Sequence, residues 1–387
     1  MLPCLRRTAA AGAVLAAGLL AGCTSAASPA GTPAPVATAS TPASVVTTDR
    51  ATGVILGAGH TGTRTQVPWG RVGPGWVLTE YAPASGSPMA VDLIDPAGGS
   101  YQLYQFAAGV QNAILIGWSP ASRRALFRYP SMQVSLTSGA VLPTASLGTV
   151  LPAYTQPGGR YLLATTANGA ELYSLAGNEV KQLAAGTFSP SPVYSPSGTT
   201  IAAGDGDGVA LIKAGGGIIR QLTVAGHSGC VVTRWWTTST IQASCGDGGL
   251  WLVPASGARP ARLAPQGRLG DVAWQLSSGL YEQSSSSANF DDIVRVSASG
   301  SLTRVPVPGT GYDIVLTAVG SRLLIEAADT GTTAGGLPGI VGGGSLLWFN
   351  PATGAEQWLV KIPRGQAGVV SAFAYPDDIN AVYNPGL

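Results

Sequence analysis

The chain has 387 residues, of which 45% are hydrophobic and only 10% charged, with Gly 54 and Pro 28. Lys+Arg 21 against Asp+Glu 19 leaves a formal charge of +2, which excludes a nucleic-acid binder that works by bulk charge. Few charges and many turn formers also argue against helical bundles and coiled coils, and favour short strands joined by tight turns.

The N-terminus carries Arg6-Arg7 and then an uncharged run from Thr8 to Gly22. As a helix this run would span about 22 Å, short for a membrane crossing, so it reads as a secretory signal peptide over residues 1–22. It ends in Leu20-Ala21-Gly22-Cys23, which resembles the lipobox of bacterial lipoproteins. That resemblance implies cleavage before Cys23 and a diacylglyceryl group on its thiol, placing the chain on the extracytoplasmic side of the cell membrane. Removing residues 1–22 takes away two arginines and leaves 19 basic residues against 19 acidic ones. Residues 23–44 are Ala, Ser, Thr, Pro and Gly with little else and no charge. Such a segment cannot bury enough surface to fold and is predicted to be a disordered tether.

From residue 45 to 387 the sequence repeats at about forty residues. Aromatic or apolar positions at Trp118, Tyr154, Tyr194, Trp235, Trp274 and Leu316 are spaced by 36, 40, 41, 39 and 42. Each precedes a polar turn and then strands separated by Gly-containing turns; a weaker copy opens near Trp69. This is the signature of an all-β fold, a β-propeller of seven or eight four-stranded blades. Tandem sandwich domains are the alternative. Closure is expected from pairing of the N- and C-terminal strands, with Val45–Leu56 and the segments 369–375 and 379–383 forming a composite blade. Tyr194-Ser195-Pro196-Ser197-Gly198 resembles the TolB-type propeller repeat, with Ser197 where that repeat has Asp. Trp348 to Trp358, with Thr353-Gly354 between them, is similar to a blade of quinoprotein-type propellers. The likeness is to a structural turn and wedge and implies no quinone; no cofactor and no metal are expected.

Two exported thiols remain, Cys230 and Cys245, flanking a hairpin centred near Thr237-Thr238. That register sets the two residues opposite one another and predicts a cross-strand disulfide; two free buried thiols are the alternative. Gly226-His227-Ser228-Gly229 lacks the strand-turn-helix context of a nucleophile elbow and reads as a loop between blades. The functional pattern lies in the connections between second and third strands, which share one face of a propeller. They carry Asp205, Asp207, Asp247, Asp291, Asp292 and Asp329. This rim is a candidate binding face for a cation or for a basic or hydroxylated ligand; the competing reading is that Asp simply suits turns. Two longer loops, 284–292 and the Gly-rich 329–344, are expected on the same face.

Two functions remain open at this point. The first is a lipid-anchored monomeric propeller that acts as a platform for a protein or cell-envelope ligand. The second is a glycan-acting hydrolase or lyase using Asp205, Asp207, Asp291 and Asp292, which requires paired carboxylates and a raised-pKa acid.

Overall fold

The computed structural model describes residues 59–376 and the strand backbones at 47–48 and 55–56. Within that span, 83–87, 109, 111–112, 129–130, 143, 145–151, 190–191, 247–248, 264–271, 287–288, 308–311, 333–337 and 363–368 lie outside the description. At 284–286, 289–292, 312–314, 328–332, 338–343 and 369–371 only the backbone is described. Among the described residues no helix is long and apolar enough to cross a membrane.

Seven antiparallel sheets form a seven-bladed propeller. Blade 1 is built from 77–105 and 369–374, and blades 2 to 7 span 114–142, 153–185, 193–223, 230–262, 272–304 and 312–362. The predicted repeat positions Trp118, Tyr154, Tyr194, Trp235, Trp274 and Leu316 all fall on the innermost strand of a blade. A four-stranded sheet cannot cover both of its own faces, so the blades bury them against each other. Between blades 6 and 7, for instance, Trp274 and Tyr281 pack with Leu347 and Phe349. Between blades 4 and 5, Leu211 and Leu222 pack with Val232 and Trp235. Trp118 and Trp235 also use their indole N–H, donating to the carbonyls of Ala374 and Val193 at 3.0 and 3.2 Å. Each bond joins an inner strand to the inner strand of the preceding blade.

Closure joins the two ends of the chain through the expected 369–375 segment, but its partner is not the 45–56 segment. The inner strand of blade 1 is Val369–Ala374, which pairs antiparallel with Val77–Ala82 and sets Phe373 opposite Leu78. The 45–56 segment instead gives Thr47–Thr48 and Ile55–Leu56, which extend the outer edge of blade 7, Leu56 opposite Val360. An inner strand lies between neighbours over its whole length. The six residues of Val, Ser, Ala and Phe at 369–374 fill that place along the whole of Val77–Ala82. The predicted strand at 379–383 lies outside the described residues. Trp69 does not open a blade either. It begins a 3-10 turn, Trp69–Arg71, with the Arg123 guanidinium 5.3 Å over its ring. The copy near Trp69 and the composite blade are therefore one blade, which makes the count seven rather than eight.

After leaving blade 7 the N-terminal segment crosses to blade 1, where Thr61–Thr63 pairs parallel with Ser100–Gln105 at its outer edge. Two adjacent blades thus have their outer edges extended by the chain's own N-terminal segment. Blades 2 to 6 end on their own fourth strand.

Candidate functional site

In every blade the connections between second and third strands project on one side of the ring, because strand direction alternates outward from the axis. Asp205 ends the second strand of blade 4 and Asp207 lies in the turn that follows. Asp291 and Asp292 fall in the third strand of blade 6 and Asp329 in the second strand of blade 7; their backbone alone is described. Asp247 lies outside the described residues, as does Cys23. The fold brings the second-to-third connections to one rim, but only for blade 4 is the carboxylate geometry visible.

There the geometry is that of turn chemistry. The Asp205 carboxylate accepts from Gln221 Nε2 at 2.8 Å, tying the outermost strand to the turn. Blade 3 makes the same tie without a charge, Gln182 Nε2 donating to the Asn168 carbonyl at 2.9 Å. Close backbone approach follows each turn. A Cβ on Gly208 would lie 1.9 Å from the Leu222 carbonyl oxygen, and one on Gly204 would lie 1.9 Å from that of Cys230. Glycine at 204 lets blades 4 and 5 meet at the rim, where Cys230 N–H also donates to the Gly206 carbonyl at 3.3 Å.

The disulfide is present. Cys230 pairs with Cys245 across the first two strands of blade 5, with Cα atoms 3.9 Å apart. It lies at the rim end of those strands, beside the 224–229 loop between blades, in which the His227 ring stands 4.9 Å from that of Trp251.

The two long loops expected on the rim are largely strand. Ser286 pairs with Asn289 and Ser284 with Asp292, so the blade 6 hairpin stays paired as far as Ser286 and Asn289. In blade 7, Ala328 pairs with Gly344 and Thr330 with Ile340, a mismatch that opens a bulge at 341–343. Serine- and glycine-rich sequence carries little side-chain signal for a strand. Pairing nevertheless satisfies its backbone N–H and C=O groups, and the ladder already established below continues upward. Two neighbouring blades therefore extend their second-to-third hairpins on the same side of the ring.

Four functional side chains were not legible as such in the sequence. Glu80 reaches from the second strand of blade 1 to the Leu115 N–H of blade 2 at 2.7 Å. Gln242 of blade 5 accepts from Ala273 N–H of blade 6 at 3.1 Å and donates to its carbonyl at 3.0 Å. Gln283 of blade 6 accepts from Val315 N–H of blade 7 at 3.0 Å. Glu326 of blade 7 accepts from Ala372 N–H of blade 1 at 3.1 Å. Each side chain supplies an acceptor for a buried backbone donor of the next inner strand. Burial pushes the carboxyl of Glu80 up to about 8, partly offset by the Leu115 N–H. Glu326 is likewise pushed up to about 8 by burial, offset in part by the Ala372 N–H. The available signal was one acidic residue in a largely apolar strand, as in Val77-Leu78-Thr79-Glu80-Tyr81 or Leu323-Leu324-Ile325-Glu326-Ala327.

No protein-family model matches the sequence, and no curated protein matches it. Solved structures similar to the chain include a TolB-like protein from Agrobacterium tumefaciens, at 15% identity and TM-score 0.37 over 58% of this chain and 89% of that one. The apo AztD structure from Citrobacter koseri aligns at 14% identity and TM-score 0.40, covering 78% and 98%. A puromycin hydrolase aligns at 13% identity and TM-score 0.46, covering 76% and 55%.

Proposed function

We propose that the chain is a lipid-anchored extracytoplasmic propeller whose acidic rim and raised hairpins form a docking platform for a cell-envelope partner or ligand. The observation that carries this reading is the pairing at 284–292 and 328–344, which lifts two hairpins of adjacent blades on one side of a closed ring. A rigid ring that presents projecting segments on one face is suited to recognition. The Cys230–Cys245 bridge at the same rim agrees with an oxidising compartment, and the lipobox supplies the anchor. For the glycan-acting alternative, catalysis needs a raised-pKa acid beside substrate. Among the described residues, the two carboxyls pushed up to about 8 are buried at blade seams and occupied by backbone donors.

The experiment is affinity capture of the anchored protein from membranes, comparing wild type with a variant carrying Asn at 205, 207, 247, 291, 292 and 329. Loss of a captured component in the variant supports the platform. Identical recovery from both removes the rim from the proposal.

A further inference from the structure

The side of the ring opposite the acidic rim has a character of its own. It is formed by the connections between first and second strands and between third and fourth strands. On blades 2 to 5 these connections and the strand ends beside them expose Arg123, Arg160, Lys181, Lys213, Arg220 and Arg259. Among the described residues of the same blades and side, Glu179 is the one exposed carboxylate. Two of the cations are anchored by backbone rather than by acids. Lys181 donates to the Gly215 carbonyl and Arg220 to that of Ser256, each in the third-to-fourth turn of the next blade. Their charge is therefore held at this face without being neutralised.

Apolar side chains are exposed among these charges. Val141, Tyr161, Val180, Ile218 and Ile219 are 56%, 41%, 52%, 43% and 46% exposed, and are five of the six large hydrophobic residues that stand out among those described. All five lie on blades 2 to 4 at the strand ends nearest the basic connections, Tyr161 beginning a second strand and the others at or near the start of a fourth. Blades 3 and 4 are stitched together there by the Gly217 N–H, which donates to the Leu183 carbonyl at 2.7 Å. Blades 3 and 4 thus meet directly on this side of the ring.

We propose that this basic and apolar face seats the propeller on an anionic lipid bilayer, turning the acidic rim away from the membrane. Branched apolar side chains and Tyr interspersed with Lys and Arg match an interface where acyl chains meet anionic headgroups. The charge is complementary to such a surface, and like charge keeps the acidic rim off it. The proposal leans on the anchored reading in one respect: Cys23 would hold the face close to the bilayer. Residues 24–46 separate Cys23 from the first strand in the sequence.

The test uses the full chain in phosphatidylcholine vesicles with or without about 30% phosphatidylglycerol. An environment-sensitive fluorophore is placed at Ile219→Cys or, separately, at Asp207→Cys. The expected result is a blue shift at 219 on the anionic vesicles alone, while 207 stays aqueous. Adding Lys181→Glu and Arg220→Glu to the 219 variant should weaken the anionic-lipid response about tenfold or more. The proposal is overturned if 219 stays in water, if it shifts equally on neutral lipid, or if both positions shift together. Shielding of 219 by a soluble acidic protein in the absence of vesicles would also overturn it. The mass of the N-terminal peptide reports lipid on Cys23 separately. Lipidated Cys23 with an aqueous 219 leaves the anchor standing and removes the seat; an unmodified Cys23 with a shifted 219 does the reverse.

Discussion

Blades 3 and 4 and the closing pair, blades 7 and 1, solve the same packing problem by different means. In blades 3 and 4 the inner strands are two residues each, Ala153–Tyr154 and Val193–Tyr194. Their second strands, Tyr161–Thr166 and Thr200–Asp205, contain neither Glu nor Gln and pack through Ala164, Ala202 and Ala203. Blade 3 faces the two-residue inner strand of blade 4, which has few backbone donors to satisfy, and blade 4 meets blade 5 by close packing of small residues. At the closing pair the inner strand is six residues long, and its donors would lie between two apolar sheets without a partner. Glu326 fills that need from blade 7, and Glu80 does the same from blade 1 toward blade 2. The seams next to them use Gln283 and Gln242 for the same task. A buried donor left unpaired costs about 1–3 kcal/mol, which these side chains avoid at four seams; at the seam of blades 4 and 5 the eight-residue inner strand Cys230–Thr237 is met by Ala and Gly instead. The two carboxyl seams described are those of the blade that closes the ring, while the seam of blades 5 and 6 is bridged by the buried Arg234, which donates to the Ala273 carbonyl.

The largest effect should come from breaking closure itself. Ala372→Pro removes the N–H that Glu326 accepts and interrupts the pairing with Val77–Ala82. A loss of about 3 kcal/mol or more is expected, read as a lower urea midpoint, whereas Ala153→Ser in blade 3 should change little. Equal losses from the two would dissolve the contrast between the regions.

The carboxyl seams should next show themselves as pH dependence. Glu80 and Glu326 remain protonated in the folded protein up to about 8, while their unfolded counterparts ionise near 4.5. Unfolding therefore releases protons between these values. The stability they contribute is complete below about 4.5 and is lost as pH rises through about 8. Thermal midpoints of the wild type should fall across that window. Glu80→Gln with Glu326→Gln should flatten the decline, and Gln242 shows that a carboxamide serves such a seam. A slope unchanged in the double variant would show that these carboxyls do not titrate as described.

The disulfide strengthens blade 5 at the rim. Its sequence separation of 15 corresponds to about 3 kcal/mol of loop-closure stabilisation. Replacing both cysteines with Ala should lower stability by about that amount, without altering the pH slope. Smaller again is Gly204→Ala. Its Cβ would meet the Cys230 carbonyl, and a loss of about 1–3 kcal/mol is expected from the backbone shift this forces. The smallest effect belongs to Asp207→Asn, within about 0.5 kcal/mol, since Asn168 occupies the matching turn of blade 3. A large stability change at 207 would mean that the rim turns of blades 3 and 4 are not equivalent.

Much of the architecture is written in local pattern. The forty-residue spacing placed Trp118, Tyr154, Tyr194, Trp235, Trp274 and Leu316 on inner strands because each blade needs a wedge at the same depth. The pairing of Cys230 with Cys245 was legible in their flanking of one hairpin, although the hairpin turns at 238–239 rather than 237–238 and two register shifts restore the pairing. The rim followed in the same way: strand alternation assigns every second-to-third connection to one side. What composition could not show was the opposite face, because its cations are scattered through the chain and cancel the rim's acids in the total.

Closure, seams and hairpins were decided by tertiary structure. Val369–Ala374 and Val45–Leu56 are both plausible strands taken alone. Which becomes the inner strand depends on what lies on either side of it, and sequence pattern carries no such information. Glu80 and Glu326 look like ordinary exposed glutamates until a neighbouring blade brings an unpaired N–H to them. The 284–292 and 328–344 segments look like loops until the ladder beneath them leaves their backbone a partner to pair with. A residue's own chemistry determined the blade and its turns; contacts between residues distant in sequence determined how seven blades became a ring with two unlike faces.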